Sequence, residues 1–338
     1  MTEKDRVLIG RAAELLRPLL RQARTAVLCT HVGPDGDGVG AEICLHQYLR
    51  MLGVDARILN ADPLPERYRF LDPDGEVAIF SEEEHGALVR NADLIFVLDN
   101  SAVDRLGPLE KAVRASRATT ICIDHHNVVD PFWKVNIVDQ EACATGELVF
   151  QIVKALGGRL NLPAAQAAYV SMVTDTGNFR FSKTSARCHE AAAELLGVGV
   201  SPQQVYEEVF ERNSPELIRL GGVALAGLRI GSGGRLAWIT LSRDQILACG
   251  ADSEDTSDVV NWLLAIDGVR VAVLFKELEN GRVKVSLRSK GALDVNRLAA
   301  GFGGGGHSNA SGTVIEATLQ GAIDTILTAC RELIERSP

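Results

Sequence analysis

No Cys-x-x-Cys pair occurs in this chain, and its seven cysteines, at positions 29, 44, 122, 143, 188, 249 and 330, are odd in number and widely scattered. That argues against a disulfide framework and a thiolate zinc site, and for a reducing cytoplasm. Basic excess is also missing. The formal net charge is −9, which argues against a protein that coats long duplex nucleic acid by neutralising its phosphates. No apolar run approaches the roughly 18 residues of a membrane span. The opening MTEKDRVLIGRAAELLRPLL carries charges throughout, unlike a signal peptide. No internal repeat is found, and a 46% hydrophobic, 23% charged composition leaves little room for disorder.

What is present suits two domains, since 338 residues exceed the roughly 100–200 of a typical single one. The acidity is uneven: 23 Lys and Arg stand against 31 Asp and Glu in residues 1–225, but 12 against 13 in residues 226–338. Most of the early carboxylates read as solvated surface, yet a site that needs carboxylates belongs in that part.

Apolar runs at 26–30, 54–59, 94–98 and 119–123 alternate with helical patterns at about 5–23 and 38–52. Short buried strands set among helices predict an α/β fold with a parallel sheet covered on both faces. Helical signals fill about 144–219, with Ser201-Pro202 and Ser214-Pro215 as helix starts. From about 226 the pattern becomes antiparallel hairpins. LRIGSGGRLAWITLS holds one turn, and VRVAVLFKEL and RVKVSLRS are separated by ENG. A helix at about 293–300, a glycine-rich loop, a strand at 313–316 and a terminal helix follow. The predicted organisation is a domain over 1–186, a helical linker over 187–225, and a smaller mixed α/β domain over 226–338.

Three of the predicted strands end directly in polar loops: THVGPDGDG, DNSAVDR and DHHN. Open α/β sheets bind ligands beyond the carboxyl ends of their strands, so one site should gather all three. The first loop offers His31, Asp35 and Asp37 around a Pro34–Gly36 turn. Two carboxylates one residue apart project differently and can serve neighbouring cations; a surface Asp-Gly turn is the bland alternative. Val39 at a ligand position rules out an EF-hand loop. Asp99 ends LIFVLD as either a backbone cap or a ligand. In Asp124-His125-His126-Asn127, adjacent side chains on extended backbone point oppositely, so one histidine can bind metal and the other face substrate. Asp175 closes an apolar helical stretch that starts near Pro163, where the helix dipole disfavours an anion and a cation would compensate.

Asp35, Asp37, Asp99 and Asp175 together would carry four negative charges, matched by two divalent cations, with neutral His31 and His125 completing the donors. Such a centre lowers the pKa of bound water, supplies a bridging hydroxide and clamps a phosphoryl displacement. Oxygen and imidazole donors suit Mn²⁺, with Mg²⁺ or Co²⁺ as alternatives.

The second feature is GFGGGGHSNASG, residues 301–312. Its literal G-x-G-x-x-G lies between a helix and a strand, the wrong order for a dinucleotide fold. It reads instead as a phosphate cradle with His307 at the rim. Arg282, Lys284, Arg288, Lys290 and Arg297 form a nearby basic patch against Asp294 alone, and Arg288, near the hairpin's end, is the chosen phosphate contact.

Taken together these residues resemble the DHH phosphoesterase family. HVGPDGDGVG, Asp99 with Arg105-Leu106-Gly107, Asp124-His125-His126 and TDTGNFRFS carry the resemblance. GGGGHSNASG and SLRS resemble the DHH-associated domain of its nanoRNase/pAp-phosphatase branch. Gly33 and Ala41 stand where the family often has Asn and Ser; neither removes a ligand.

The resemblance implies a parallel-sheet DHH domain, a DHH-associated domain and an active site in the cleft between them. It implies His31, Asp35 and Asp99 on one Mn²⁺, and Asp37, Asp99, His125 and Asp175 on a second, with Asp99 bridging. His126 would contact the scissile phosphate or protonate the leaving oxygen. Arg288, Gly304, Gly305, Gly306 and His307 would grip substrate, with Asp124, Arg105 and Arg180 in support.

The implied enzyme is cytoplasmic and hydrolyses short RNA oligonucleotides and 3′-phosphoadenosine 5′-phosphate (pAp). It acts as a monomer or homodimer, with no membrane or long-duplex partner. A dinucleotide phosphodiesterase acting on pApA, pGpG or a cyclic dinucleotide, and a non-catalytic nucleotide-binding regulator, are the alternatives. A family II pyrophosphatase and a RecJ-type exonuclease fit less well, because the C-terminal motifs differ from the first and no further nucleic-acid-binding domain fits the second.

Overall fold

The computed structural model describes residues 3–126, 130–251, 256 and 259–336; Asn127 lies outside them. The chain divides into two units, Met1–Arg212 and Asn213–Pro338.

The first unit runs α1 (Glu3–Gln22), β1 (Thr25–Cys29), α2 (Gly36–Met51), β2 (Asp55–Asn60), β3 (Val77–Ile79), α3 (Glu82–Asn91) and β4 (Leu94–Leu98). It continues with α4 (Leu109–Arg114), β5 (Thr119–Asp124), β6 (Val135–Val138), α5 (Thr145–Ala155), α6 (Leu162–Asp175), α7 (Ala186–Val198) and α8 (Pro202–Phe210). The sheet is parallel throughout, in the order β3-β2-β1-β4-β5-β6.

Its central strands are apolar on both faces because both faces are covered. Leu94, Phe96 and Leu98 of β4 pack into a core with α1, α2, α5 and α6, while Ile95 and Val97 pack into a second core with α3 and α4. This period-two division turns each strand into a continuous hydrophobic run. The sequence pattern does not predict the edge strands β3 and β6. They are short and half-exposed, so they lack that run.

Strand order reverses between β1 and β4, which places the loops after Cys29 and Leu98 beside each other. Helix α2 approaches α6 closely through Gly40: a Cβ there would press on the Ala167 carbonyl and on Ser171. Gly40→Val is expected to cost about 2 kcal/mol through overpacking. It should lower Tm by about 4–8 °C and reduce turnover too, because Asp35 caps α2 and Asp37 lies in its first turn. A thermal melt of the variant checks this, and an unchanged Tm would refute the close-packing account.

The second unit runs α9 (Pro215–Ala226), β7 (Arg229–Gly231), β8 (Leu236–Leu241), α10 (Arg243–Ala248), β9 (Val271–Glu277) and β10 (Val283–Ser289). Then come α11 (Val295–Ala300), β11 (Gly305–His307), β12 (Ala310–Ile315) and α12 (Leu319–Glu335). Its sheet is mixed, in the order β11-β12-β10-β9-β8-β7, with only the β8–β9 pair parallel. Leu236, Val273, Phe275, Val285 and Leu287 pack with Ile326, Cys330 and Ile334 of α12. The serine caps are present: Ser201 accepts from Gln204 N, and Ser214 from Leu217 N.

All seven cysteines are free thiols, six of them buried. Among the described residues, no helix is long and apolar enough to cross a membrane.

Candidate metal centre

Beyond β1 the chain turns through His31 into α2, where Asp35 is the N-cap. Its Oδ1 accepts from Asp37 N at 3.0 Å and Gly38 N at 3.1 Å. Capping occupies that oxygen, while Oδ2 lies 3.8 Å from His31 Nε2.

Asp99, just past β4, has φ of +56°, a left-handed backbone that a non-glycine residue adopts at a cost and that clusters at functional sites. Its two oxygens face different neighbours. Oδ2 lies 3.6 Å from His31 Nε2; Oδ1 lies 3.6 Å from His125 Nε2 and 3.5 Å from His126 Nδ1. Thr145 Oγ1 also donates to Oδ1, at 3.2 Å.

Asp37 is buried and accepts from Thr145 N at 2.8 Å, Gly146 N at 3.1 Å and the Ser171 hydroxyl. The residue before α5, Ala144, offers no side-chain cap, so Asp37 caps that helix from over 100 residues away. His125 Nε2 sits among three carboxylates: Asp37 at 3.4 Å, Asp175 at 3.5 Å and Asp99 at 3.6 Å. Asp175 is the last residue of α6.

Two triads therefore form, His31–Asp35–Asp99 and Asp37–His125–Asp175, and a third group joins Asp99 to His125 and His126. Separations of 3.4–3.8 Å exceed an N–H···O bond of roughly 2.7–3.2 Å. They are close to the roughly 3.0–3.4 Å between donors around one ion with bonds of about 2.1 Å. Both imidazoles are oriented for ligation. His31 Nδ1 meets Val32 O at 2.8 Å and His125 Nδ1 meets Ala142 O at 3.2 Å. With Nδ1–H donating to a carbonyl, the Nε2 lone pair faces the carboxylates.

The electrostatics agree with a cation site. Burial, then Asp175 and Asp35, push Asp37 up to about 8. Burial, then Asp37 and the other carboxylates, hold Asp99 well above the carboxylate range. Burial lowers His31 against the opposing pull of Asp35, and the Arg105 charge lowers it further. Carboxylates this crowded retain protons unless positive charge is supplied.

His125 and His126 do not point oppositely, because β5 ends at Asp124 and extended geometry ends with it. Their rings meet edge to face at 4.7 Å. They nonetheless differ: His125 is fully buried, while the His126 side chain is 28% exposed and its Nδ1 donates to Asp124 Oδ1 at 2.7 Å. Burial pushes Asp124 up, but hydrogen bonds from His126 and Ser101 outweigh it and lower its pKa. Asp124 thus orients the His126 ring.

Both supporting arginines are exposed, and the Arg105 charge reaches His31 and helps lower it. The Arg105 carbonyl accepts from Val32 N at 2.8 Å while its side chain is exposed. Arg180 is exposed and lies over the Phe181 ring at 5.1 Å.

In the second unit, Arg288 Nε donates to Asn261 Oδ1 at 3.1 Å and Nη1 to Leu287 O at 3.0 Å. Register places Arg288 opposite Ala310, and Ala310 opposite His307. Arg288 and His307 therefore share one face of the sheet, two strands apart. The glycine-rich stretch is a hairpin rather than a loop. Gly305 and Gly306 lie in β11, a Cβ at Gly306 (φ +139°) would press on Ala310 O, and one at Gly304 would press on Gly312 O. Close strand pairing thus explains glycine at 304 and 306; Gly305 is exposed.

Sequence reasoning missed Thr145, Gly146, Ser171, the Ala142 carbonyl and Lys183, whose Nζ lies 3.3 Å from His125 O. The uncapped start of α5 was the one available signal.

The sequence matches the DHH family, N-terminal domain, over residues 25–174 and the DHHA1 domain over residues 245–336. It is 34% identical to the bifunctional oligoribonuclease and PAP phosphatase NrnA of Thermus thermophilus, covering 92% of this chain and 90% of the relative. The Bacillus subtilis protein of that name is 30% identical, with 86% and 89% covered. Among solved structures, an exopolyphosphatase-related protein from Bacteroides fragilis superposes with a TM-score of 0.91 at 27% identity, covering 96% of this chain and 98% of that one. The ordered Asp and His loops at the ends of a parallel sheet, followed by the second domain, make this chain a member of the DHH phosphoesterase family, beside the bifunctional oligoribonucleases and PAP phosphatases.

Proposed function

We propose that this chain is a Mn²⁺-dependent phosphoesterase that hydrolyses short RNA oligonucleotides to mononucleotides and removes the 3′-phosphate of pAp. The observation that carries the chemistry is Asp99, whose two oxygens each face a separate histidine–carboxylate group. The substrate class is supported by the names of the relatives.

His31, Asp35 and Asp99 would hold one ion, and Asp37, Asp99, His125 and Asp175 the other. When bound, the pair of cations supplies an activated water and charge neutralisation at phosphorus. The chain's own residues do the remainder. Asp124 accepts from His126 Nδ1–H and so supports the imidazolium, whose Nε2–H is the proton that passes to the leaving oxygen, leaving the neutral Nδ1–H ring. Ala142 O and Val32 O hold the two ligand imidazoles in one tautomer. Arg288 and His307, with the hairpin of Gly304, Gly305 and Gly306, grip the substrate through the second domain.

His126→Ala is expected to lower kcat about 10²–10³-fold, the usual worth of a general acid, with metal content unchanged by elemental analysis. Loss of metal would make His126 a ligand instead. The function itself is tested by competition at equal concentrations with Mn²⁺, using pApA, a short RNA, a long single strand, pAp and pyrophosphate, with an EDTA control. Preference for the short RNAs and pAp, abolished by EDTA, is expected; preference for pyrophosphate or the long strand would refute the assignment.

A further inference from the structure

The segment after Asp175 is tightly specified and includes a cation that the reaction scheme above does not use. Gly177, Asn178 and Phe179 have φ of +56°, +59° and +61°, three consecutive left-handed residues. Phe179 anchors them, stacked on His189 at 5.3 Å and near Tyr169 at 5.9 Å. Arg180 N and Phe181 N then both donate to Thr176 O, and Thr184 N to Phe181 O. This turn brings Lys183 to the Nδ1 edge of His125, whose Nε2 faces the carboxylates; there Nζ lies 3.3 Å from both the carbonyl oxygen and Nδ1 of that residue. Because Nδ1–H is committed to Ala142 O, the ammonium donates to the carbonyl. That leaves two of its three protons for other acceptors. Among the described residues, no carboxylate forms an ion pair with Lys183.

Charge counting gives that ammonium a purpose. Four carboxylates and two divalent cations cancel, so the loaded centre offers no surplus positive charge. A diester brings one negative charge, whereas a terminal phosphate, with a second pKa of about 6, brings nearly two.

We propose that Lys183 is a substrate-binding residue that takes up the second charge of a phosphomonoester, and so sets the balance between monoester and diester hydrolysis. This rests on the proposed phosphoesterase function and extends it to substrate choice at the same site.

The test compares Lys183→Gln and Lys183→Arg with the wild-type chain, all loaded with Mn²⁺. The substrates are pAp and pApA, which share a 5′-phosphate but differ at the scissile group. Binding of inorganic phosphate by calorimetry and metal content by elemental analysis are read alongside. Lys183→Gln should lose about 30-fold in kcat/KM on pAp, the worth of one hydrogen bond to a charged group. It should lose under about threefold on pApA, bind phosphate about 30-fold more weakly and keep its metal, with Lys183→Arg close to wild type throughout. Equal losses on both substrates, or lost metal, would mean that Lys183 acts through His125 and would overturn the proposal. So would unchanged phosphate binding. Lys183→Met repeats the series should the glutamine variant not fold. A wild-type chain that hydrolyses neither substrate refutes the proposed function, and the phosphate-binding comparison then decides the role of Lys183 alone.

Discussion

Asp99→Asn is expected to lower turnover by about a thousandfold or more, equivalent to a loss of ~4 kcal/mol of transition-state stabilisation. Asparagine is the informative replacement because position 99 has φ of +56°. Asn tolerates left-handed backbone better than Ala, so the variant keeps the loop and removes the charge. Both oxygens of the wild-type carboxylate are engaged, Oδ2 toward His31 and Oδ1 toward His125. A neutral amide with one oxygen cannot serve both sides. Metal stoichiometry should fall below two per chain. The metal-free variant should melt higher than the metal-free wild type, because one member of a repelling buried cluster is gone. Wild-type turnover with two bound ions would refute the bridging role of Asp99.

Stripping the metal should make stability fall as pH rises, and restoring it should flatten that slope. The cause is Asp37, which burial and its carboxylate neighbours raise from the ordinary carboxylate range to about 8. Asp99 is raised in the same sense. Between about pH 4 and pH 8 the unfolded chain has released the proton that the native state still holds. At these two carboxyls the unfolded state therefore binds fewer protons; they outweigh the lowered His31, which opposes them below about pH 6.5, and the stability of the metal-free fold declines across that window. Each tenfold difference in proton affinity between the native and unfolded states is worth ~1.4 kcal/mol. The effect thus amounts to a few kcal/mol, or about 10 °C in Tm between pH 5 and pH 8. Divalent cations stabilise the ionised carboxylates and release those protons. Melting curves with chelator and with Mn²⁺ at several pH values check this. A metal-free Tm that rises from pH 5 to pH 8 would contradict the carboxylate-cluster account.

The site residues differ in how readable they were. His31, Asp35, Asp37, Asp99, Asp124, His125 and His126 each lie at or beyond the end of an apolar strand, and a parallel sheet delivers all its strand ends to one side. Asp175 stood out as an anion closing an apolar helix. The opposite projection expected of His125 and His126 failed because extended backbone stops at Asp124, and the rings lie 4.7 Å apart. Glycine at 304 and 306 signals close approach without saying to what. The backbone of the neighbouring strand is one such neighbour, and only the fold shows it.

Composition, strand patterning and ordered motifs by themselves determined the parallel sheet, the mixed second domain and the donors that converge. Those features depend on which side chains follow which local element, and local periodicity records that. Tertiary structure alone decided what holds the donors in place: Thr145 and Gly146 N–H on Asp37, carbonyls of Val32 and Ala142 on the two imidazoles, and Lys183 on His125. Nearly all of these contacts use backbone atoms, which every residue carries, and most join segments far apart in the chain. A sequence marks which side chains are present, but only folding decides which peptide groups face them.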